Sequence, residues 1–110
     1  MGEAEVIEYE NDAGTNPFAE WLGSLDDQAH AKVFTAVTRM RLGNFGDVEP
    51  VGKGVSERKI NWGPGYRIYF GKDGKKLVIL LGGGIKRRQQ KDIKSAQETW
   101  SEYKANKRRK

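Results

Sequence analysis

Between Lys59 and Phe70 polar and apolar residues alternate around a single tight turn, and this stretch limits the possible folds more than any other. Ile60 and Trp62 alternate with Lys59 and Asn61, Gly63-Pro64-Gly65 reverses the chain, and Tyr66, Ile68 and Phe70 then alternate with Arg67 and Tyr69. A period of two belongs to strands with one face buried, so the two runs predict an antiparallel hairpin. Asp73-Gly74 predicts a second hairpin turn. The unbroken apolar run Leu77 to Leu81 follows, a pattern expected of a strand covered on both faces. Together they make a three-stranded antiparallel meander that Gly82, Gly83 and Gly84 are expected to end.

Upstream the period is helical. After a short strand over Glu5 to Tyr9, Asn11, Asp12 and Gly14 form a turn, and Asn16 caps a helix with Pro17 at its first position. Phe18, Trp21, Leu22 and Leu25 share one helical face. Ser24 with Asp27 resembles a capping box for a second helix striped by Val33, Phe34, Val37 and Met40, ending near Gly43 and Asn44. The glycine-rich segment Phe45 to Val55 reads as a loop. Ile93, Ala96, Gln97, Trp100 and Tyr103 line one face of a last helix, which runs into a basic tail at about 104–110. The expected fold class is α+β: an N-terminal strand and helical hairpin packed on a mostly antiparallel sheet with a C-terminal helix. With no repeat or boundary, residues 1–110 read as one domain.

Composition removes several kinds of chemistry. The absence of Cys excludes thiolate catalysis and Cys-based zinc sites, and a single His excludes a multi-His metal centre. No metal and no cofactor is therefore expected. The longest apolar run is too short to span a bilayer and the N-terminus is acidic, so the expected location is the cytoplasm, away from membranes. Charge is distributed unevenly: residues 1–30 hold eight acidic and no Lys or Arg residues, whereas residues 86–110 hold ten basic and three acidic ones, a net +7. One region repels polyanions and another attracts them, as in a nucleic-acid-binding surface.

The segments Ile60–Phe70 (INWGPGYRIYF) and Leu80–Ile93 (LLGGGIKRRQQKDI) carry a resemblance. GPGYR-x-YF followed by LGGG-x-K-x-RQQ-x-DI, in this order of elements, resembles the HigB-like addiction-module killer proteins of the RelE/ParE toxin superfamily. The resemblance implies a RelE/ParE-like fold and a cognate antitoxin, of the helix-turn-helix HigA-like kind. It also implies mRNA on the ribosome as target, operator DNA reached through the antitoxin complex, and a ribosome-dependent endoribonuclease activity. Residue by residue, Lys59 matches the first strand lysine of such toxins, Arg67 the arginine of the GYR turn, and Lys86 with Arg87 the basic pair after the last strand. Asn61 stands where many relatives have a second lysine, and Ile93 where some have a tyrosine. Asn61, Tyr69, Arg88 and Lys91 are the expected further RNA contacts, with Tyr69 as the stacking ring.

RNA cleavage by its own 2′-hydroxyl needs proton removal, charge stabilisation at phosphorus and a proton for the leaving oxygen. Arg67 suits the second task. Lys59 is the expected base, its pKa depressed by the crowding of Arg67, Lys86 and Arg87, while His30 is expected to be structural or exposed on the second helix. Lys59 and Arg67 should project from the sheet face opposite Ile60 and Ile68, as surface cations whose removal costs little stability. The triple glycine is expected to serve a tight exit from the strand, since no GK[ST] follows. Two other functions remain open: a ParE-like gyrase inhibitor, and a non-catalytic relative that binds only antitoxin and operator.

Overall fold

The computed structural model describes residues 2–108. Its elements are β1 (Glu5–Glu8), α1 (Pro17–Gly23), α2 (Asp27–Arg41), β2 (Asp47–Pro50), β3 (Val55–Ile60), β4 (Tyr66–Asp73), β5 (Leu77–Ile85), a 3₁₀ turn (Lys86–Arg88) and α3 (Gln89–Arg108). They form the expected α+β arrangement. The five-stranded sheet runs β1-β5-β4-β3-β2, and every pair is antiparallel except β1 on β5.

Two cores flank the sheet. On one face, Ile60, Tyr66, Ile68 and Phe70 pack with Val78 and Leu80 against Phe18 of α1 and Ala29, Val33, Ala36, Val37 and Met40 of α2. This is the face that the alternation marks as buried. On the other, Val55, Tyr69, Ile79 and Leu81 pack beneath Ala96 and Trp100 of α3. The apolar run of β5 is thus covered on both sides, as its composition predicts.

Local chemistry explains several boundaries. Asn16 caps α1 by accepting from the Ala19 N–H at 2.9 Å, with Pro17 at the first position. The second cap differs from the expected one. Asp26, not Ser24, accepts from the Ala29 N–H at 2.9 Å, while the Ser24 hydroxyl donates back to the Trp21 carbonyl at the end of α1. Phe34 also departs from expectation, being 59% exposed. Ala29 and Ala36 join Val33, Val37 and Met40 on the inner stripe instead, and small side chains let α2 lie close to the sheet.

The expected loop at 45–55 contains β2, which pairs with β3 from Asp47↔Lys59 to Pro50↔Ser56. A four-residue strand with two acidic residues and a proline is poor strand material, but an edge strand tolerates both. The glycines 82–84 are likewise not an exit. They lie inside β5 beyond a bulge: Tyr69 pairs with Gly82 while Phe70 pairs with Leu80, leaving Leu81 as the extra residue. The bulge exchanges the faces of the residues that follow. Gly83, paired with Ile68, lies under the Trp21 indole, and Gly84, paired with Arg67, lies under the Asp92 carboxylate. A Cβ at either position would overlap those groups.

The basic tail is the last turn of α3 as far as Arg108; Arg109 and Lys110 lie outside the described residues. Lys107 bonds Asp73 at 2.6 Å, so the helix end is tied to the second hairpin turn. No helix among the described residues is long and apolar enough to cross a membrane.

Asp26→Ala should cost about 1 kcal/mol, because it removes the cap of α2. Ser24→Ala should stay within about 0.5 kcal/mol. Chemical denaturation of the two variants separates the caps, and the reverse ranking would restore Ser24 to the role its spacing predicts.

Candidate functional site

Lys59 and Arg67 are register partners on β3 and β4, and Arg67 is in turn the partner of Gly84 on β5. Both side chains leave the sheet on the α3 side, opposite Ile60 and Ile68, as the alternation requires. The 3₁₀ turn adjoins them. Its Lys86 N–H donates to the Gly65 carbonyl at 2.9 Å, which clamps the basic turn to the glycine turn of the β3–β4 hairpin. Lys86, Arg87, Arg88 and Lys91 are exposed around a shallow concavity that Gln89 and Gln90 also line. Four of the expected residues thus form an open cationic rim, and Lys59 and Arg67 lie beside it on the sheet.

The two strand cations are not free. Arg67 is 8% exposed and its Nη1 donates to Glu57 at 2.9 Å. Glu57 is completely buried and also accepts from the Tyr69 hydroxyl at 3.1 Å and from Gln89 Nε2 at 2.9 Å. One carboxylate therefore joins β3, β4 and the start of α3. The expectation that Arg67 is a removable surface cation is corrected by its burial against this charge. Arg67 Nε meets no acceptor among the described residues.

Tyr69 is 1% exposed beneath α3, so it cannot stack an RNA base. Alternation correctly separates it from Ile68, but the face it occupies is the second core. Burial, then the adjacent Glu57 charge and hydrogen bond, push its hydroxyl pKa far up, leaving it a neutral donor.

Lys59 also departs from expectation. It forms an ion pair with Glu49 of β2, and the hydrogen bond to that partner raises its pKa. The strand at 47–50, expected as loop, supplies the carboxylate that reverses the expected shift. A lysine held protonated is not a base but a cation and a proton donor. Asn61 is exposed just past β3, at the turn. Of the two roles expected for His30, structural or exposed, it takes the second, on α2 and far along the chain from these elements.

Three polar residues of the site escape the sequence reading: Glu57, Gln89 and Asp92. Glu57 has a signal, since it stands two residues before Lys59 and so shares its face. Asp92 lies in the first turn of α3, half buried, with burial raising its pKa against the opposing charges of Arg88 and Lys91. On the other face of the sheet Arg58 is also buried, donating to the Lys59 carbonyl at 2.5 Å. Its pKa is lowered by burial and by nearby Arg39.

A second concavity lies at the far end of α3, among Ile7, Tyr9, Ile79 and Tyr103. Glu8, Glu10 and Asp12 border it, so it disfavours a polyanion. No group of three or more His, Asp or Glu among the described residues could hold a metal ion.

The chain is 45% identical over 83 residues to an uncharacterized protein of Haemophilus influenzae, an alignment covering 74% of this chain and 84% of that relative. It belongs to that protein's family. No family model matches the chain, and no solved structure matches it significantly. Membership in the Haemophilus protein's family carries no activity with it, so the functional reading rests on the residues of the site.

Glu57→Ala should destabilise the fold by about 3–5 kcal/mol, because it leaves the buried Arg67 charge without its partner. Arg67→Ala should be destabilising for the converse reason, well beyond the ~0.5 kcal/mol of a surface change. Denaturant midpoints measure both. Glu49→Gln should lower the Lys59 pKa, read from the titration of its Cε–Hε resonances by NMR. An unchanged titration would mean that the ion pair is not formed in solution.

Proposed function

We propose that this protein is the toxin of a type II toxin–antitoxin pair, a metal-independent, ribosome-dependent mRNA endoribonuclease of the RelE/ParE superfamily acting in the cytoplasm. The observation that carries the reading is the juxtaposition of Lys59 and Arg67 with the exposed rim of Lys86, Arg87, Arg88 and Lys91. Glu57 fixes Arg67, and the clamp between Lys86 and Gly65 fixes the backbone that carries the rim before any substrate arrives. Preorganised donors of this kind stabilise charge developing at phosphorus, one well-aimed donor contributing roughly 100-fold to 1000-fold. The GPGYR-x-YF and LGGG-x-K-x-RQQ-x-DI segments supply the remaining support. A HigA-like antitoxin would cover the cationic rim or the α1–α2 hairpin and would link the pair to operator DNA.

A second reading is a ParE-like gyrase inhibitor that cuts no RNA. The neutralisation of both strand cations, Lys59 by Glu49 and Arg67 by Glu57, favours it. Inducing the protein in cells and mapping transcript ends, in parallel with a gyrase supercoiling assay on purified protein, separates the two. Codon-positioned cleavage with normal supercoiling supports the endoribonuclease, and the opposite pair of results sinks it.

Replacing Lys86, Arg87, Arg88 and Lys91 together by Ala should weaken binding to a single-stranded RNA and flatten its salt dependence. Without these cations to neutralise phosphates, the slope of log K against log salt should become shallower by roughly 3. His30→Ala should bind and inhibit growth as the unaltered chain does. An unchanged slope in the quadruple variant would move the RNA surface elsewhere.

A further inference from the structure

The site has cations to hold a phosphodiester, but Lys59 is kept protonated by Glu49, with which it is paired, and Glu57 is fully buried among its own donors, so the proton acceptor has to be sought elsewhere. Lys59, Arg67 and Gly84 form one row across three neighbouring strands. With strands about 4.8 Å apart, the row spans roughly 10 Å. Its third position has no side chain, and the Asp92 carboxylate from α3 lies in the space that a Cβ of Gly84 would fill. The row therefore reads, across the sheet, as ammonium, guanidinium and carboxylate.

We propose that Asp92 is the proton acceptor of this site, taking the proton of the RNA 2′-hydroxyl that attacks the adjacent phosphorus. The inference rests on the endoribonuclease reading above. Asp92 is half buried, and its carboxylate lies over Gly84 at the end of the row, next in sequence to Lys91 of the cationic rim. The charged and titratable groups around it are Arg88 and Lys91 on its own segment, with Arg67, Tyr69 and Glu57 on the strands beneath. Burial lifts its pKa toward the range useful for proton transfer.

In the step, a bond forms between the 2′ oxygen and phosphorus and the bond from phosphorus to the 5′ oxygen breaks. The 2′ proton passes to Asp92, and the departing 5′ oxygen takes a proton from the Lys59 ammonium. The products are a 2′,3′-cyclic phosphate and a 5′-hydroxyl, and solvent returns the proton from Asp92 to Lys59. Arg67, between the two and bonded to Glu57, lends its charge from beneath the phosphorus.

The test uses the full chain with ribosomes programmed by a defined mRNA, measuring single-turnover cleavage from pH 5 to 9. Asp92→Asn should slow cleavage by roughly 100-fold or more and abolish the fall in rate on the acid side, while mRNA-bound ribosomes are retained as before. Asp92→Glu should recover part of the rate and the acid limb. Gly84→Ala, whose methyl displaces the carboxylate, should reproduce the loss, and it decides the question if thermal unfolding shows Asp92→Asn to be misfolded. Cleavage by a folded Asp92→Asn at the unaltered rate overturns the inference alone. An unaltered chain that cuts no RNA overturns it together with the endoribonuclease reading.

Discussion

The buried carboxylate of Glu57 is the interaction on which the rest of the structure depends. A charge with no exposure is tolerable only when donors replace its water, and Arg67, Tyr69 and Gln89 do so from two further elements. Each of those donors is fixed in return. Arg67 is aimed along the sheet, Tyr69 is kept as a neutral hydroxyl, and the first residue of α3 is tied down directly after the 3₁₀ turn. The position of the exposed cations Lys86–Arg88 therefore follows from a bond made in the interior.

This arrangement gives the two strand cations different characters. Arg67 belongs to a buried pair with fixed geometry, whereas Lys59 and Glu49 form a more exposed pair on the edge of the sheet. Salt screens the second far more than the first. A polyanion arriving over the rim would compete with Glu49 for Lys59 but would meet Arg67 already oriented. Fold and site are thus coupled at Arg67 and only loosely coupled at Lys59.

The sequence makes part of this legible because local periodicity is a local property. The hairpin around Gly63-Pro64-Gly65, the cap at Asn16 and the common face of Lys59 and Arg67 all follow from spacing. What spacing cannot say is which face a distant helix covers. Alternation places Tyr69 opposite Ile68, yet only the packing of α3 decides that Tyr69 is core rather than surface. Lys59 departs from its expected role for a related reason: its partner Glu49 sits on a strand whose charges and proline read as loop. Glu57 lies within reach of the same alternation, but a carboxylate among expected RNA-binding cations carries no periodic signal of its own. The inner stripe of α2 is blurred because Ala36 has little hydrophobic weight beside the exposed Phe34.

The bulge at Leu81 gives the triple glycine a meaning in terms of chain length. The extra residue sets Leu81 in the core beneath α3 while Gly83 still stands opposite Ile68 and Gly84 opposite Arg67. Deleting a single glycine would let the ladder run without interruption and leave two glycines opposite Ile68 and Arg67, so it would remove the local kink and keep the faces. A side chain at Gly83 or Gly84 is the graver change, because its Cβ would enter the space of the Trp21 indole or the Asp92 carboxylate. In this family, a one-residue alignment gap at this point is therefore compatible with the same site, whereas a larger residue opposite Ile68 or Arg67 is not.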